Sequence, residues 1–250
     1  MANYGGNIIR NWDKDTSERQ EFASGPYEYF MQVVENSFFD LPNYIKSYTV
    51  FFLEVAEGTT IVSEDGKIKP VQGDVIQVEN KNLNMKVSGG KVKLLVSGVS
   101  KIIQAKPSVH LTHYNEIYKV NKPWGHELWL NGEHPAYCLK QVALRGGMKT
   151  SLQYHQMKKE TNVLFEGDAY IHYKSNPEIS NEKVHNKDID RIKISPVSSV
   201  DVVPNVIHRV ESISDILLYE TSTPHLNDVI RIADDSKRAS GRIETEHQSQ

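Results

Sequence analysis

The sequence predicts an all-β protein made of two tandem barrels, of which only the second carries a chemical site. Short runs rich in Val, Ile, Tyr, Phe and Leu recur through both halves, and Gly, Asn, Asp and Pro turn signals separate them. Closely spaced short strands are typical of sandwiches and barrels. All ten histidines lie at or after His110, so imidazole chemistry is confined to the second half.

Composition limits the classes of function. The 250 residues are 38% hydrophobic and 24% charged, which is an ordinary balance for a globular protein. The 29 Lys and Arg and 32 Asp and Glu residues are dispersed and sum to a net charge of −3. No basic field exists to hold a nucleic acid or an anionic membrane. We therefore expect a small-molecule ligand or a protein partner.

The cellular location is expected to be cytoplasmic. No apolar run approaches the roughly 20 residues that a membrane-spanning helix needs, and residues Met1–Asp13 lack the apolar core of a signal peptide. The single Cys138 cannot form an internal disulfide, which agrees with a reducing compartment. We interpret it as a small core residue.

Eight runs are predicted strands because of their β-branched and aromatic content. Helix is expected only near Tyr27–Phe38 and Asn115–Tyr118. The predicted strands are Tyr48–Val55, Asp74–Val78, Val92–Val96, Tyr137–Leu144, Asn162–Phe165, Ala169–Tyr173, Ser199–Val203 and Ile216–Glu220.

The boundary between the barrels is placed within Lys101–Tyr118, which lacks period-2 alternation and contains Pro107. This predicts a site-free barrel over 1–110 and a site-bearing barrel over 111–233. Residues 234–250 are a polar C-terminal tail, expected to be mobile or to order only against a partner. The polar stretch 174–191 is expected to be a surface loop.

The stretch around residue 155 concentrates groups that bind metals. If Thr150–His155 is extended, alternation puts Gln153 and His155 on one face. A tight connection through Gln156–Lys159 then returns the chain so that Glu160 opens the next strand beside them. An amide, an imidazole and a carboxylate would converge on one point.

A second imidazole, His208, follows a Pro204-Asn205 bend at the end of an apolar strand. It supplies a fourth candidate ligand from a distant segment of the chain.

The pattern Ser-Leu-Gln-x-His, with Glu five residues after that His and a following strand that ends in Gly, resembles the first motif of the cupin superfamily. More narrowly, the second half resembles the C-terminal cupin domain of type II mannose-6-phosphate isomerases. The resemblance rests on Lys122–Gly125, Tyr137–Lys140, Ser151–Glu160, Ile207–Glu211 and Asp228–Arg231, in the family's order.

This resemblance implies one divalent metal ion per chain, held by Gln153, His155, Glu160 and His208. Zinc is the expected metal, with manganese, iron and nickel as alternatives. The whole chain would be a bicupin of two double-stranded β-helix (jelly-roll) barrels, the first degenerate and metal-free. An exposed barrel edge and a silent first half favour a homodimer.

The sequence departs from the cupin pattern in both motifs. Met157 stands where most cupins have a second histidine, so Gln153 would replace an imidazole. In the second motif, Pro204 lies one residue too close to His208 and Asn205 occupies the place of a glycine. Asn tolerates left-handed backbone conformations better than most residues, which would preserve the turn.

The implied function is a metal-dependent sugar-phosphate or nucleotide-sugar isomerase that interconverts an aldose and a ketose. The candidate catalytic residues are Lys158, Arg209 and Glu211: Lys158 or Arg209 would handle substrate charge, and Lys158 or Glu211 would move the proton. Lys140, Arg145 and Lys149 are further candidates for holding a phosphate.

Two alternatives stay open. His155, Glu160 and His208 alone form the two-histidine, one-carboxylate set of Fe(II) oxygenases. A non-catalytic sugar-binding cupin is the other. No Gly-rich nucleotide loop is present, so we expect no nucleotidylyltransferase activity.

Overall fold

Strands dominate the computed structural model, which describes residues 9–14, 16, 18–39, 41–63, 66–81, 84–174 and 189–247. The predicted all-β class is confirmed, and each of the eight predicted runs falls on a strand. The strands are β1 (Ile9–Asn11), β2 (Gln20–Ala23), β3 (Glu28–Glu35), β4 (Ser47–Val55), β5 (Thr60–Ser63), β6 (Gly66–Ile68), β7 (Val75–Glu79), β8 (Lys86–Ser88), β9 (Lys91–Val99), β10 (Ser108–Thr112), β11 (Tyr118–Lys122), β12 (Gly125–Trp129), β13 (Cys138–Leu144), β14 (Leu152–Tyr154), β15 (Glu160–Glu166), β16 (Ala169–Lys174), β17 (Asp190–Ile194), β18 (Ser198–Val202), β19 (Ile207–Ser212), β20 (Ile216–Ser222) and β21 (Ile230–Ala233).

Helical structure is minimal in the described residues. A 3-10 turn covers Tyr114–Glu116, and a single α-helical turn, α1, covers Glu244–His247. The expected helix over Tyr27–Phe38 is wrong, because Glu28–Glu35 forms β3, which pairs along its whole length with β9. Tyr29, Phe30 and Met31 are all almost fully buried, so both faces of this strand are covered and no alternation marks it. No described helix has the length and apolar character to cross a membrane.

The chain divides into two compact units that interleave in sequence. The N-terminal unit takes residues Asp15–Tyr118 and Trp129–Leu139. The C-terminal unit takes the described residues of Lys119–Leu128 and of 140–247, together with residues 9–14 of the first segment. The predicted division into domains 1–110 and 111–233 and a tail 234–250 stays a prediction.

The N-terminal unit pairs a six-stranded sheet with a three-stranded one. The strand orders are β10-β7-β4-β9-β3-β2 and β6-β5-β8. One apolar core joins the two sheets, with Val50 and Phe52 on the larger and Ile61 and Val87 on the smaller. Its interior is filled by aliphatic and aromatic side chains, as a packed barrel requires.

The C-terminal unit contains the seven-stranded sheet β1-β18-β15-β20-β13-β12-β11 and the five-stranded sheet β17-β16-β19-β14-β21. Side chains from both sheets again share one core, including Leu164 and Leu218 from the first and Ile171 and Val210 from the second. The two sheets therefore face each other across this core.

The interior of the C-terminal unit changes character along β15. Leu164 lies in the apolar core, Asn162 is the next residue on the same face, and Glu160 is the last. The side chains of both polar residues are buried, and Asn162 Nδ2 donates to Glu160 Oε1 at 3.0 Å. One end of this interior is therefore polar.

The C-terminal segment folds back onto its own unit. The Gly241 amide donates to the Val229 carbonyl at 2.7 Å, and Glu246 forms an ion pair with Lys122 at 2.8 Å. Both contacts lie within the described residues, and the behaviour expected for the tail 234–250 stays a prediction. Most of the expected loop 174–191 lies outside the described residues, and β17 begins at Asp190.

Candidate metal centre

The turn between β14 and β15 is shaped by a distant carboxylate. Asp228 accepts hydrogen bonds from the backbone amides of Gln156, Met157 and Lys158 at 3.0, 2.6 and 2.8 Å. Burial would raise the pKa of Asp228, but these three donors hold it below its usual range. The turn brings Glu160 back beside His155, as the sequence predicts.

Both candidate histidines are oriented through Nδ1. His208 Nδ1 lies 3.1 Å from the Val206 carbonyl, and His155 Nδ1 makes a short contact with the Asp228 carbonyl. A carbonyl only accepts, so each Nδ1 carries the proton and each Nε2 presents a lone pair. Fixing an imidazole tautomer from its far nitrogen is the usual arrangement around a metal-binding histidine.

The lone pairs converge on Glu160. His155 Nε2 lies 3.4 Å from Glu160 Oε2, His208 Nε2 lies 3.1 Å from Glu160 Oε1, and the three ligand atoms all fall within 4.8 Å of one another. All three side chains are buried, and neither Nε2 has a hydrogen-bond partner among the described residues. Buried acceptors that face one another are costly unless a cation lies between them. The residues therefore fit a divalent metal.

Gln153 joins the same face. It is the direct antiparallel partner of His208 across β14 and β19, and directly opposed residues point to the same side of a sheet. Its Oε1 accepts the Ser151 hydroxyl at 2.6 Å. The structure thus brings all four sequence-predicted ligands to one end of the interior.

The altered second motif still forms its turn. Asn205 has φ +66°, in the left-handed region that usually favours glycine, and its amide donates to the His155 carbonyl at 2.6 Å. The asparagine substitution therefore preserves the bend that positions His208.

Lys158 is buried between two carboxylates. Its Nζ lies 2.5 Å from Glu160 Oε2 and 2.7 Å from Glu220 Oε1. Burial alone would lower the pKa of Lys158, but attraction to Glu160 and Glu220 raises it above its usual value. Burial alone would likewise raise the pKa of Glu160, yet the positive charge of Lys158 holds it well below its usual range. Both ion pairs therefore favour the protonated form of Lys158.

Arg209 and Glu211 lie on the other face of β19. Val210 is in the apolar core and His208 faces the cluster, so the alternating residues between them point outward. Arg209 Nε donates to the Thr150 carbonyl at 3.0 Å, and Glu211 contacts His172 at 2.6 Å. The structure does not bring Arg209 or Glu211 to the cluster.

The three further phosphate candidates are dispersed. Lys149 pairs with Glu211 at 3.5 Å on the outer face, and Lys140 pairs with Glu127 at 3.4 Å. Arg145 donates to the Pro123 carbonyl at 2.6 Å. None of these contacts involves a ligand of the candidate metal.

Sequence reasoning missed Glu220. It is the cross-strand partner of Asn162, which shares the face of Glu160, so Glu220 points into the interior. The sequence does show a charged residue, Glu220, directly after the apolar run of β20. It could not be interpreted without knowing that Lys158 lies opposite it.

Comparisons with known proteins establish the fold. No family model and no curated protein matches the chain. Among solved structures, oxalate decarboxylase from Lactobacillus farciminis superposes with a TM-score of 0.59 at 9% identity, covering 82% of this chain and 79% of that one. Protein Ylba from E. coli gives 0.61 at 6% identity, covering 83% of each chain. These proteins have the cupin fold.

The fold is that of the cupins. A mutant form of salicylate 1,2-dioxygenase from Pseudoaminobacter salicylatoxidans is a further match, with a TM-score of 0.50 at 10% identity, covering 80% of this chain and 72% of that one. At such identities the likeness concerns the fold alone. The chain thus has a cupin-like fold of jelly-roll type in two units, and its C-terminal unit carries a His/Glu group suited to a divalent metal.

Proposed function

We propose that the C-terminal unit is a metal-dependent isomerase that interconverts an aldose and a ketose of a sugar phosphate or nucleotide sugar. The observation that carries the proposal is a pair of buried ion pairs in which Lys158 bridges the carboxylates of Glu160 and Glu220. It connects a candidate metal ligand to a second interior carboxylate, which can act as the proton carrier that isomerisation requires. The resemblance to type II mannose-6-phosphate isomerases supports the substrate class.

The ligand set would be His155, Glu160 and His208, with Gln153 as the fourth group. A divalent ion held there would polarise the carbonyl and the neighbouring hydroxyl of a bound sugar.

Glu220 is the proton-transfer base of the proposal. Its carboxylate takes the proton from the carbon that bears the hydroxyl and returns it to the carbonyl carbon, while the hydroxyl proton passes to the former carbonyl oxygen. The sugar as a whole is therefore neither oxidised nor reduced. Lys158 cannot take this role because the two carboxylates keep it protonated, and Glu211 lies on the opposite face of β19. Lys158 instead orients Glu160 and Glu220.

Deuterium uptake tests the proposal. Candidate sugar phosphates are incubated with metal-loaded protein in heavy water, with and without chelator, and label is followed at the carbon next to the carbonyl. We expect metal-dependent uptake that Glu220→Gln slows at least ~100-fold while metal content stays unchanged. Glu211→Gln is the matched control, because it removes the same charge on the outer face, and it should retain the rate. Uptake that survives in Glu220→Gln would contradict the role of Glu220.

An Fe(II) oxygenase is the second candidate, favoured by the two-histidine, one-carboxylate group. Its signature is oxygen consumption that requires iron, in place of solvent exchange under anaerobic conditions. A protein that binds sugars and shows neither reaction would be the non-catalytic alternative.

The assembly and location belong to the same proposal. The six-stranded sheet ends at β2 and β10, whose outer edges would allow a second copy to add on. We propose a cytoplasmic homodimer. Sedimentation equilibrium of the full chain tests the dimer, and the mass of a single chain would contradict it.

A further inference from the structure

A row of three residues crosses the five-stranded sheet on its interior face. Gln153 is the direct antiparallel partner of His208 on one side and of Arg231 on the other. Opposed residues share a face, and neighbouring strands lie about 4.8 Å apart. The backbone of Arg231 therefore lies about 10 Å from that of His208 across the sheet. Its side chain is on the face that carries the candidate metal ligands.

The guanidinium of Arg231 is anchored by backbone carbonyls and forms no ion pair with the residues that the structure describes. Its Nη1 donates to the Gly241 carbonyl at 2.7 Å and makes a short contact with the Ala239 carbonyl. Its Nε is buried and has no hydrogen-bond partner in the described part of the chain. Neutral carbonyls thus hold one end of this cation while a second N–H is left unsatisfied, which is costly for a buried donor.

The neighbouring Arg238 shows the contrast. It lies 2.9 Å from Asp234 and 3.3 Å from Glu246, so its charge is compensated twice. Burial is the main cause that lowers the pKa of Arg231, and the positive charge of Arg238 lowers it further. Asp234, Glu246 and Glu127 act in the opposite direction, but none of them forms an ion pair with Arg231 in the described part of the chain. An incoming anion would therefore be the first group to pair directly with this guanidinium.

We propose that Arg231 binds the anionic group, a phosphate or a carboxylate, of the sugar whose oxygens reach the metal. This assignment rests on the proposed function and specifies how its substrate is recognised. A guanidinium presents a planar fork of N–H donors suited to phosphate and carboxylate oxygens. With Nη1 fixed by the segment Ala239–Gly241, the fork is held in place before the ligand arrives, which reduces the entropy lost on binding.

The competing role for Arg231 is structural, since its carbonyl contacts also fasten the C-terminal segment. A structural residue would affect all ligands equally, whereas an anion-binding residue affects only charged ones. The ratio of the affinities for charged and neutral sugars therefore distinguishes the two roles.

Calorimetry with metal-loaded full-length protein tests the assignment, using mannose 6-phosphate, mannuronate and mannose as probes. We expect wild type to bind at least one anionic probe at least ~10-fold tighter than mannose, about the value of one charged hydrogen bond. Arg231→Gln should bring that ratio close to one, with metal content and mannose affinity unchanged. Whichever anionic probe loses its preference identifies phosphate or carboxylate as the bound group.

Two further variants complete the test. Arg231→Lys keeps the charge without the fork and should give an intermediate ratio. Arg191→Gln removes an arginine from the outer face of the same sheet and should behave as wild type. A ratio unchanged in Arg231→Gln, an equal loss for all three probes, or no preference in wild type would each overturn the assignment. A ratio that depends on Arg231 without any deuterium uptake would support this site and reject the isomerase.

Discussion

Each unit packs one sheet against another, but the interior of the N-terminal unit is apolar whereas that of the C-terminal unit is polar at one end. In the N-terminal unit, the interior positions of β4 carry Tyr48, Val50 and Phe52, all nearly inaccessible to solvent. In the C-terminal unit, the interior positions of β15 pass from Leu164 through Asn162 to Glu160. Packing alone is satisfied by the first arrangement, so the polar end of the second needs another explanation.

Electrostatics supplies that explanation. The buried cluster contains two carboxylates, Glu160 and Glu220, on either side of one ammonium, Lys158. Two imidazole lone pairs lie next to them. Burying such groups is unfavourable unless their charges and hydrogen bonds are satisfied. A divalent cation would complete this set. The N-terminal unit has a buried pair too, His134 and Glu79 at 2.8 Å, but there His134 Nδ1 accepts the Ala136 amide, so Nε2 carries the proton and faces Glu79 as a donor.

The largest expected effect comes from breaking the apolar interior. Phe52→Ala in the N-terminal unit should lower the free energy of unfolding by about 3–5 kcal/mol, since the removed ring leaves a cavity. Chemical denaturation measures this loss, and metal analysis should show unchanged metal content in the folded variant. Loss of metal together with stability would mean that the two interiors do not serve separate purposes.

Local patterns in the sequence predicted the strands and the convergence of the candidate ligands. The alternation in Thr150–His155 predicted that Gln153 and His155 share a face, and the left-handed tolerance of asparagine predicted the turn at Asn205. The helix expected at Tyr27–Phe38 failed because β3 is buried on both faces and shows no alternation. Glu220 depends on a pairing partner far along the chain, which no local pattern contains.

A smaller effect is expected on the outer face of the C-terminal unit. The hydrogen bond from Arg191, with help from His172, lowers the pKa of Glu211 to about 2. Because the folded pKa lies below the unfolded value of ~4.3, Glu211 stabilises the fold above that value, and the contribution disappears as pH falls towards 2.

Glu211→Gln should therefore cost up to about 3 kcal/mol at neutral pH and almost nothing near pH 2. Denaturation midpoints measured across this range check the difference. Glu54→Gln, at an exposed ion pair with Lys93 in the N-terminal unit, is the control and should show little pH-dependent change. A constant deficit for Glu211→Gln at every pH would show that charge is not the cause.

The smallest effect is expected from restoring the usual cupin histidine. Met157 is 60% exposed, and its backbone amide is already held by Asp228. Met157→His should retain the metal and change its affinity by less than about tenfold, because a side chain that points to solvent adds little unless it rotates inward. Competition with a calibrated chelator measures this. A much larger gain would indicate that residue 157 reaches the cluster.

Counting metal per chain tests the central claim most directly. Protein purified without added metal should contain one divalent ion per chain, held in the C-terminal unit and expected to be zinc. His155→Ala and His208→Ala should each abolish it while circular dichroism remains that of a folded β-protein, because each leaves at most three protein ligands. His110→Ala, at an exposed histidine of the N-terminal unit, should retain it. Two metals per chain, or full metal content after loss of His155 or His208, would contradict the account.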